Sequence, residues 1–359
     1  MSIEKVRLFL EEQGYDGVLL RRRNNFSWVT GGNTNYIVQT MEAGVADWII
    51  TREQAYLVTS KMEERRIVEE ECSDLSFSFE VLSDDWYKPA EHLIESVTTG
   101  VRMAADMPYA DWDVVDEELG KYRSVLTADE RERYRNLCQK AAKAVEETCR
   151  EIEPGQTEKE IEAHLAAKIL AGGMSIQVLL VATDERIYRY RHPIPTEKKL
   201  DRHAMIVICA EEAGLVANVT RLVYFGELPE ELRQHSAAVA RIDSVMNHAT
   251  KVGATAGEVI QAGIAEYAEQ GFPDDWKLLH QGGLTGFNSR EFLANPETPH
   301  KIVVNQAYAW NPSLPGVKSE DTVLLTEKGL EFMTYTGEWV YQEVEVEGVT
   351  FVRNAVLVR

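Results

Sequence analysis

Apolar positions in the first 125 residues come in short runs separated by amphipathic stretches. Ile3, Val6 and Leu10 recur at helical spacing; segments 16–20, 47–51 and 55–59 alternate as strands, and 61–72 has a helical period. A strand over 77–82 and helices over 89–97 and 111–122 follow, so strands interleave with helices and predict an α/β domain with a partly parallel sheet. The domain ends near 124–127. There Thr127-Ala-Asp-Glu130 spells a capping box, in which the Thr oxygen and the Glu carboxylate each satisfy an orphan amide, and a long amphipathic helix runs on to about Glu151.

The remainder, 126–359, carries a weak internal repeat. Glu153-Pro-Gly-Gln-Thr-Glu-Lys-Glu-Ile161 is echoed about a hundred residues later by Lys251-Val-Gly-Ala-Thr-Ala-Gly-Glu-Val259, each a Gly turn followed by Thr-x-x-Glu, and each preceded by a long helix. Ala-Gly214-Leu-Val-Ala-Asn218-Val-Thr220 is matched in the same way by Pro-Gly316-Val-Lys-Ser-Glu320-Asp-Thr322. Residues two apart on a strand share a face, so two such hairpins place Asn218 with Thr220, and Glu320 with Thr322, on facing surfaces. A duplicated helix-plus-hairpin half with a site near its pseudo-axis is the architecture these echoes predict.

Charge narrows the function. Lys+Arg number 38 against 59 Asp+Glu, a net charge of −21 over 359 residues, which repels phosphate backbones and anionic membrane surfaces. Nucleic-acid and membrane partners are therefore not expected, and a small-molecule substrate is. At 44% hydrophobic and 27% charged the chain reads as globular. The surplus acids cluster in 63–71, 111–118 and 227–231, which read as solvated faces and turns. The amino terminus shows no unbroken apolar run of the signal-peptide kind, and no stretch nears the roughly 18 apolar residues of a membrane span. Cys138 and Cys149 lie on one expected helix, about 16 Å apart at 1.5 Å per residue and beyond disulfide reach; with Cys72 and Cys209 they read as reduced thiols of a cytoplasmic protein. There is no HExxH or CxxC, and the eight histidines are dispersed.

The two echoes, Arg191-His192-Pro-Ile-Pro-Thr196, Asn218-Val-Thr-Arg221, His280-Gln-Gly-Gly-Leu-Thr-Gly286, Asn311-Pro312 and Gly316–Thr322, in this order, resemble the family of creatinase, prolidase, aminopeptidase P and methionine aminopeptidase. The resemblance implies an α/β (α+β) chain, with a creatinase-like amino-terminal domain (1–125) followed by a pita-bread catalytic domain (126–359), and a homodimer. It also implies a test of metal binding. The peptidases of the family hold two metal ions with two Asp, one His and two Glu; carried over, these positions fall on Val207, Asn218, Leu284, Asn311 and Glu320, and only Glu320 still matches. One carboxylate with two amides, a Val and a Leu cannot supply a divalent pair with its charge or its coordination number. No metal and no cofactor are expected.

The same resemblance points to metal-independent creatinase. His192, before Pro193 in a rigid turn, matches its proton-shuttling histidine, and imidazole is the side chain suited to that exchange near neutral pH; without the resemblance it reads as an inert loop histidine between arginines. Glu320 matches a carboxylate that holds the substrate guanidinium, where bidentate pairing suits a planar cation. A second such carboxylate falls on Thr220. His280 lines the pocket near the leaving group, and Arg290-Glu291 matches a substrate-side pair, with a plain surface ion pair as the alternative. Asn218 and Asn311 orient a polar substrate, and Cys209 is either a nucleophile or core packing. Asn33, Asn35 and Tyr36 are expected to reach a neighbouring active site. The function read from these residues is metal-independent hydrolysis of a C–N bond in a small amidine, guanidine or amide, with His192 and Glu320 catalytic. The alternatives are a non-catalytic, metal-free binding protein and an Xaa-Pro peptidase.

Overall fold

The computed structural model describes residues 2–359. They form two compact units, the described residues up to Glu130 with Ala213–Leu215, and Arg131–Glu212 with Val216–Arg359.

The first unit runs α1 (Ser2–Gln13), β1 (Gly17–Arg22), α2 (Arg23–Thr30), β2 (Ala43–Thr51), β3 (Ala55–Ser60), α3 (Lys61–Arg66), β4 (Glu80–Asp84), α4 (Glu91–Thr98), β5 (Met103–Ala105), β6 (Asp113–Val114) and α5 (Asp116–Arg123). Its sheet has the order β4-β3-β2-β1-β5-β6. Strand β2 is antiparallel to β1 and β3 and the remaining pairs are parallel, so the sheet is mixed. Leu19, Ile49, Val58 and Ala105 bury one face against Ile94 of α4.

Several elements depart from the pattern. The helix expected over 61–72 keeps α geometry only to Arg66 and then widens into a π turn, Ile67–Glu71. The strand expected over 77–82 begins at Glu80, because Phe77 and Phe79 turn edge-on to Trp48, at 5.6 and 5.3 Å, and pack there instead of pairing. Segment 111–122 gives the two-residue β6 before α5 starts at Asp116. Strand β5 and helix α2 carry weak patterns of their own. The first is three residues long; the second is held by Asn25, whose buried amide donates to Asp106 at 2.9 Å and Asp116 at 3.0 Å. The acidic run is not wholly a solvated face either. Glu63 is buried against Arg66, and Glu71 accepts the Thr34 backbone N–H.

The second unit is built on α6 (Ala128–Glu151), α7 (Glu158–Ala171), β7 (Ser175–Thr183), α8 (Glu185–Arg189), β8 (His203–Glu212), β9 (Leu215–Tyr224), α9 (Glu230–Ala249) and α10 (Ala256–Glu269). It continues with β10 (Gly282–Thr285), β11 (Ala307–Trp310), β12 (Ser313–Leu314), β13 (Val317–Lys318), β14 (Val323–Thr326), β15 (Gly329–Phe332), β16 (Tyr341–Val346), β17 (Val349–Asn354) and β18 (Leu357–Val358). The sheets β18-β9-β8-β7 and β10-β11-β14-β15 carry the site strands. Thr127 and Glu130 form the expected reciprocal bonds at the start of α6, at 2.7 and 3.3 Å.

The repeat is structural. Helices α7 and α10 are both 14 residues long and both open with a complete capping box, Thr157 with Glu160 and Thr255 with Glu258. Each cap threonine also makes one isolated bridge, Thr157 to Lys199 and Thr255 to Lys301. The two hairpin echoes meet face to face. The Asn218 N–H donates to Thr322 Oγ1 at 2.8 Å, that hydroxyl donates back to the Asn218 carbonyl at 3.1 Å, and the Thr220 N–H donates to the Glu320 carbonyl at 3.1 Å.

Among the described residues, no helix is long and apolar enough to cross a membrane. All four cysteines are free and buried.

Candidate functional site

Strand β9 and the segment after β13 supply the site's floor. Alternation along 318–321 turns Lys318 and Glu320 to one side and Asp321 to the other. On the far side Asp321 joins a buried ionic network: it accepts Arg221 Nη1 at 3.0 Å and Arg353 Nη2 at 2.7 Å, while Arg221 also reaches Glu146 at 3.2 Å and Arg353 also pairs with Asp243. That network fixes the strand from behind.

On the near side both oxygens of Glu320 are engaged. Arg290 Nη2 donates to its Oε1 at 2.9 Å, while Lys318 Nζ at 2.7 Å and the Thr220 hydroxyl at 2.7 Å donate to its Oε2. Arg290 Nη1 donates to Asn218 Oδ1 at 2.7 Å, and the Asn218 amide is oriented by donating to Thr285 Oγ1 at 3.1 Å and the Val216 carbonyl at 3.3 Å. Burial alone would raise the Glu320 carboxyl, but Lys318 and Arg290 outweigh it and hold it down to about 2. The cluster contains two cations and one carboxylate.

Two histidines border it. His192 lies exposed in the loop after α8, where Arg191 pairs with Asp275 at 3.6 Å and so pins the loop beside the segment leading to His280. The two imidazole centroids are 5.6 Å apart. Desolvation and the charges of Lys318 and Arg290 lower the His192 pKa, against an opposing pull from Glu320. Desolvation, Arg290, Lys318 and His192 push His280 down to about 4, so it is neutral at pH 7. Its Nδ1 is buried without a hydrogen-bond partner, as are Arg290 Nε and Asn311 Oδ1.

The structure thus joins Asn218, Thr220, Arg290 and Glu320 directly and sets His192 and His280 close by. Arg290 does not form a surface pair with Glu291, which instead accepts from Asn288 at 3.0 Å. Glu320 meets the protein's own guanidinium where a substrate's was expected. Asn311 is buried next to Gln281, its N–H donating to that carbonyl at 3.1 Å, with no bond to the cluster. Leu284, the position onto which the family's ligand histidine was carried, packs with Val207, Tyr308 and Trp310 in the hydrophobic core; His192 and His280 both feel the Glu320 charge. Cys209 donates its thiol to Asn218 Oδ1 at 3.2 Å, and burial pushes its pKa up to about 12, which suits packing and not nucleophilic attack. In the first unit Asn33 and Asn35 bond the Glu71 and Ala46 carbonyls, and Tyr36 lies under the Arg23 guanidinium. Lys318 is the site residue the sequence reading passed over, although its place two residues before Glu320 in the expected hairpin was the signal for it.

The model of metallopeptidase family M24 matches residues 132–327. The chain belongs to metallopeptidase family M24. The creatinase/prolidase N-terminal domain matches residues 3–152. The Xaa-Pro dipeptidase of Pyrococcus furiosus is 25% identical over 353 residues, covering 93% of this chain and 97% of that protein. Among solved structures, the prolidase from Pyrococcus horikoshii OT3 superposes with a TM-score of 0.78 at 20% identity, over 93% of this chain and 98% of that one. The X-Pro aminopeptidase from Thermotoga maritima MSB8 superposes with a TM-score of 0.77 at 19% identity, over 99% of each chain.

The M24 name implies metal, and the donor set here does not fit it. No group of three or more His, Cys, Asp or Glu among the described residues is placed to hold an ion. Both oxygens of Glu320 are engaged by cations. A divalent ion brought to Glu320 would be repelled by both Arg290 and Lys318.

Proposed function

We propose that this M24 chain hydrolyses an amide-type C–N bond in a small substrate, with Xaa-Pro dipeptides the first class to try, and does so without a metal pair. The observation that carries the reading is the pair of histidines with lowered pKa bordering the Arg290–Glu320–Lys318 cluster. A relative named as an Xaa-Pro dipeptidase and matched over almost its whole length supports the reaction class. Because Glu320 is already neutralised, a cationic group on the substrate is disfavoured, and the amide member of the expected amidine, guanidine and amide set is preferred.

In this reading neutral His192 takes a proton from water as the water oxygen bonds to the carbonyl carbon, and returns it to the nitrogen as the C–N bond breaks. Negative charge developing on the carbonyl oxygen faces a cluster with one cation in excess of its carboxylate. His280 orients the far end of the substrate. The working unit is read as a homodimer, which a light-scattering mass near that of one chain would contradict.

The test is turnover of an Xaa-Pro and N-acyl amino acid panel by the native chain and by His192→Ala, with chelator and with added manganese. Chelator-resistant turnover abolished in the variant supports the proposal. Activity that appears only with manganese would favour the second reading, a metal-dependent Xaa-Pro dipeptidase, which the family match favours. Ligand stabilisation without turnover in either protein would make the chain a binding relative.

A further inference from the structure

We propose that Arg290 and Lys318 are tethered cations filling a cation seat on Glu320, so that the seat is closed to metal ions and admits a free organic cation only once Arg290 is removed. The inference does not depend on the hydrolase reading.

Three observations carry it. First, the side chains of Glu320, Lys318 and Arg290 are only 3%, 4% and 10% exposed, so this is an interior ion cluster and not a surface pair. Second, the carboxylate has no unused oxygen: Arg290 takes Oε1, and Lys318 with Thr220 takes Oε2. Third, the guanidinium is recognised by Glu320 through Nη2 and by the Asn218 side-chain oxygen through Nη1, which also donates to the Ser289 carbonyl at 2.6 Å, while its Nε is left buried without a partner. An arginine held only for packing does not require an amide preset by Thr285 to receive its Nη1. Truncating Arg290 would leave a guanidinium-shaped void between Glu320 and Asn218, with Lys318 still in place to repel a divalent ion.

The experiment is thermal denaturation and equilibrium dialysis of the full chain with methylguanidine chloride and, separately, manganese chloride, against matched sodium chloride. In the native chain neither probe should give saturable binding at millimolar concentration. Arg290→Ala should be stabilised saturably by methylguanidine, with an apparent affinity about tenfold or more above the native chain, since a ligand that binds only the folded state raises its melting temperature. It should remain closed to manganese. Stoichiometric manganese on the native chain would overturn the proposal, whether or not the variants fold. So would a folded Arg290→Ala, checked by circular dichroism, that gains no methylguanidine binding.

Discussion

The Arg290 guanidinium lies 2.9 Å from Glu320 Oε1 and 2.7 Å from Asn218 Oδ1, clamping the segment after β13 to β9, which belong to opposite halves of the internal repeat. Removing the carboxylate would strand both Arg290 and Lys318 as buried cations, and breaking a buried ion pair from one side costs about 3–5 kcal/mol. Glu320→Gln should therefore lose stability of that order in urea or thermal unfolding. Glu320→Leu with Lys318→Met and Arg290→Met should lose much less than the single change. A triple variant no more stable than Glu320→Gln would show that the charges are not what the carboxylate serves.

The same pair has a defined pH window. Glu320 titrates at about 2 in the folded chain against an ordinary value of 4.5, so its folded pKa is depressed. A depressed carboxylate contributes stability that is fully present above the unfolded value and is lost as pH falls toward the folded one. The stability difference between the native chain and Glu320→Gln should stay constant from pH 7 to 5 and shrink between 4.5 and 2. Unfolding curves for the two proteins across that range measure it; a difference that shrinks above pH 5 would contradict the assignment.

How much of this was legible in the chain depended on distance along it. The capping boxes at Thr127, Thr157 and Thr255 are local hydrogen-bond patterns and were readable outright, and so was the turning of Asp321 away from Glu320, which follows from strand alternation. Lys318 was equally readable by the same alternation. Arg290 was not: it reaches Glu320 from a loop thirty residues away, and in sequence its nearest opposite charge is Glu291, which it does not use. The surroundings of Leu284 were hidden for the same reason. Only packing reveals that Leu284 faces the core. Phe77 and Phe79 imitate a strand because aromatic packing on Trp48 and strand pairing call for the same residue types.

The repeat itself can be tested through its caps. Thr157 and Thr255 each accept an N–H from the third helical residue, Glu160 or Glu258, at 3.1 Å, and each of those glutamates reaches back to the cap backbone. Replacing an N-cap threonine by alanine costs about 0.5–2 kcal/mol. Thr157→Ala and Thr255→Ala should lose similar amounts, and the double variant should lose close to their sum because the two caps share no partner. Chemical denaturation of the four proteins gives the cycle.

The pH dependence of turnover connects the cluster to His192. A base must be neutral to accept a proton, and the His192 pKa is lowered by desolvation and by Lys318 and Arg290, with Glu320 opposing. For the native chain kcat/KM should be level from pH 7 upward and fall only on an acid limb below the ordinary histidine value of 6.5. Lys318→Met deletes one of the charges that lower the pKa and leaves Glu320 less neutralised; both changes favour imidazolium, so the acid limb should move to higher pH. Arg290→Met should move it in the same direction. His192→Ala should abolish the limb together with the turnover while ligand stabilisation persists. An acid limb that stays in place in Lys318→Met, or that survives in His192→Ala, would assign the titrating base to another group, with His280 the first to examine.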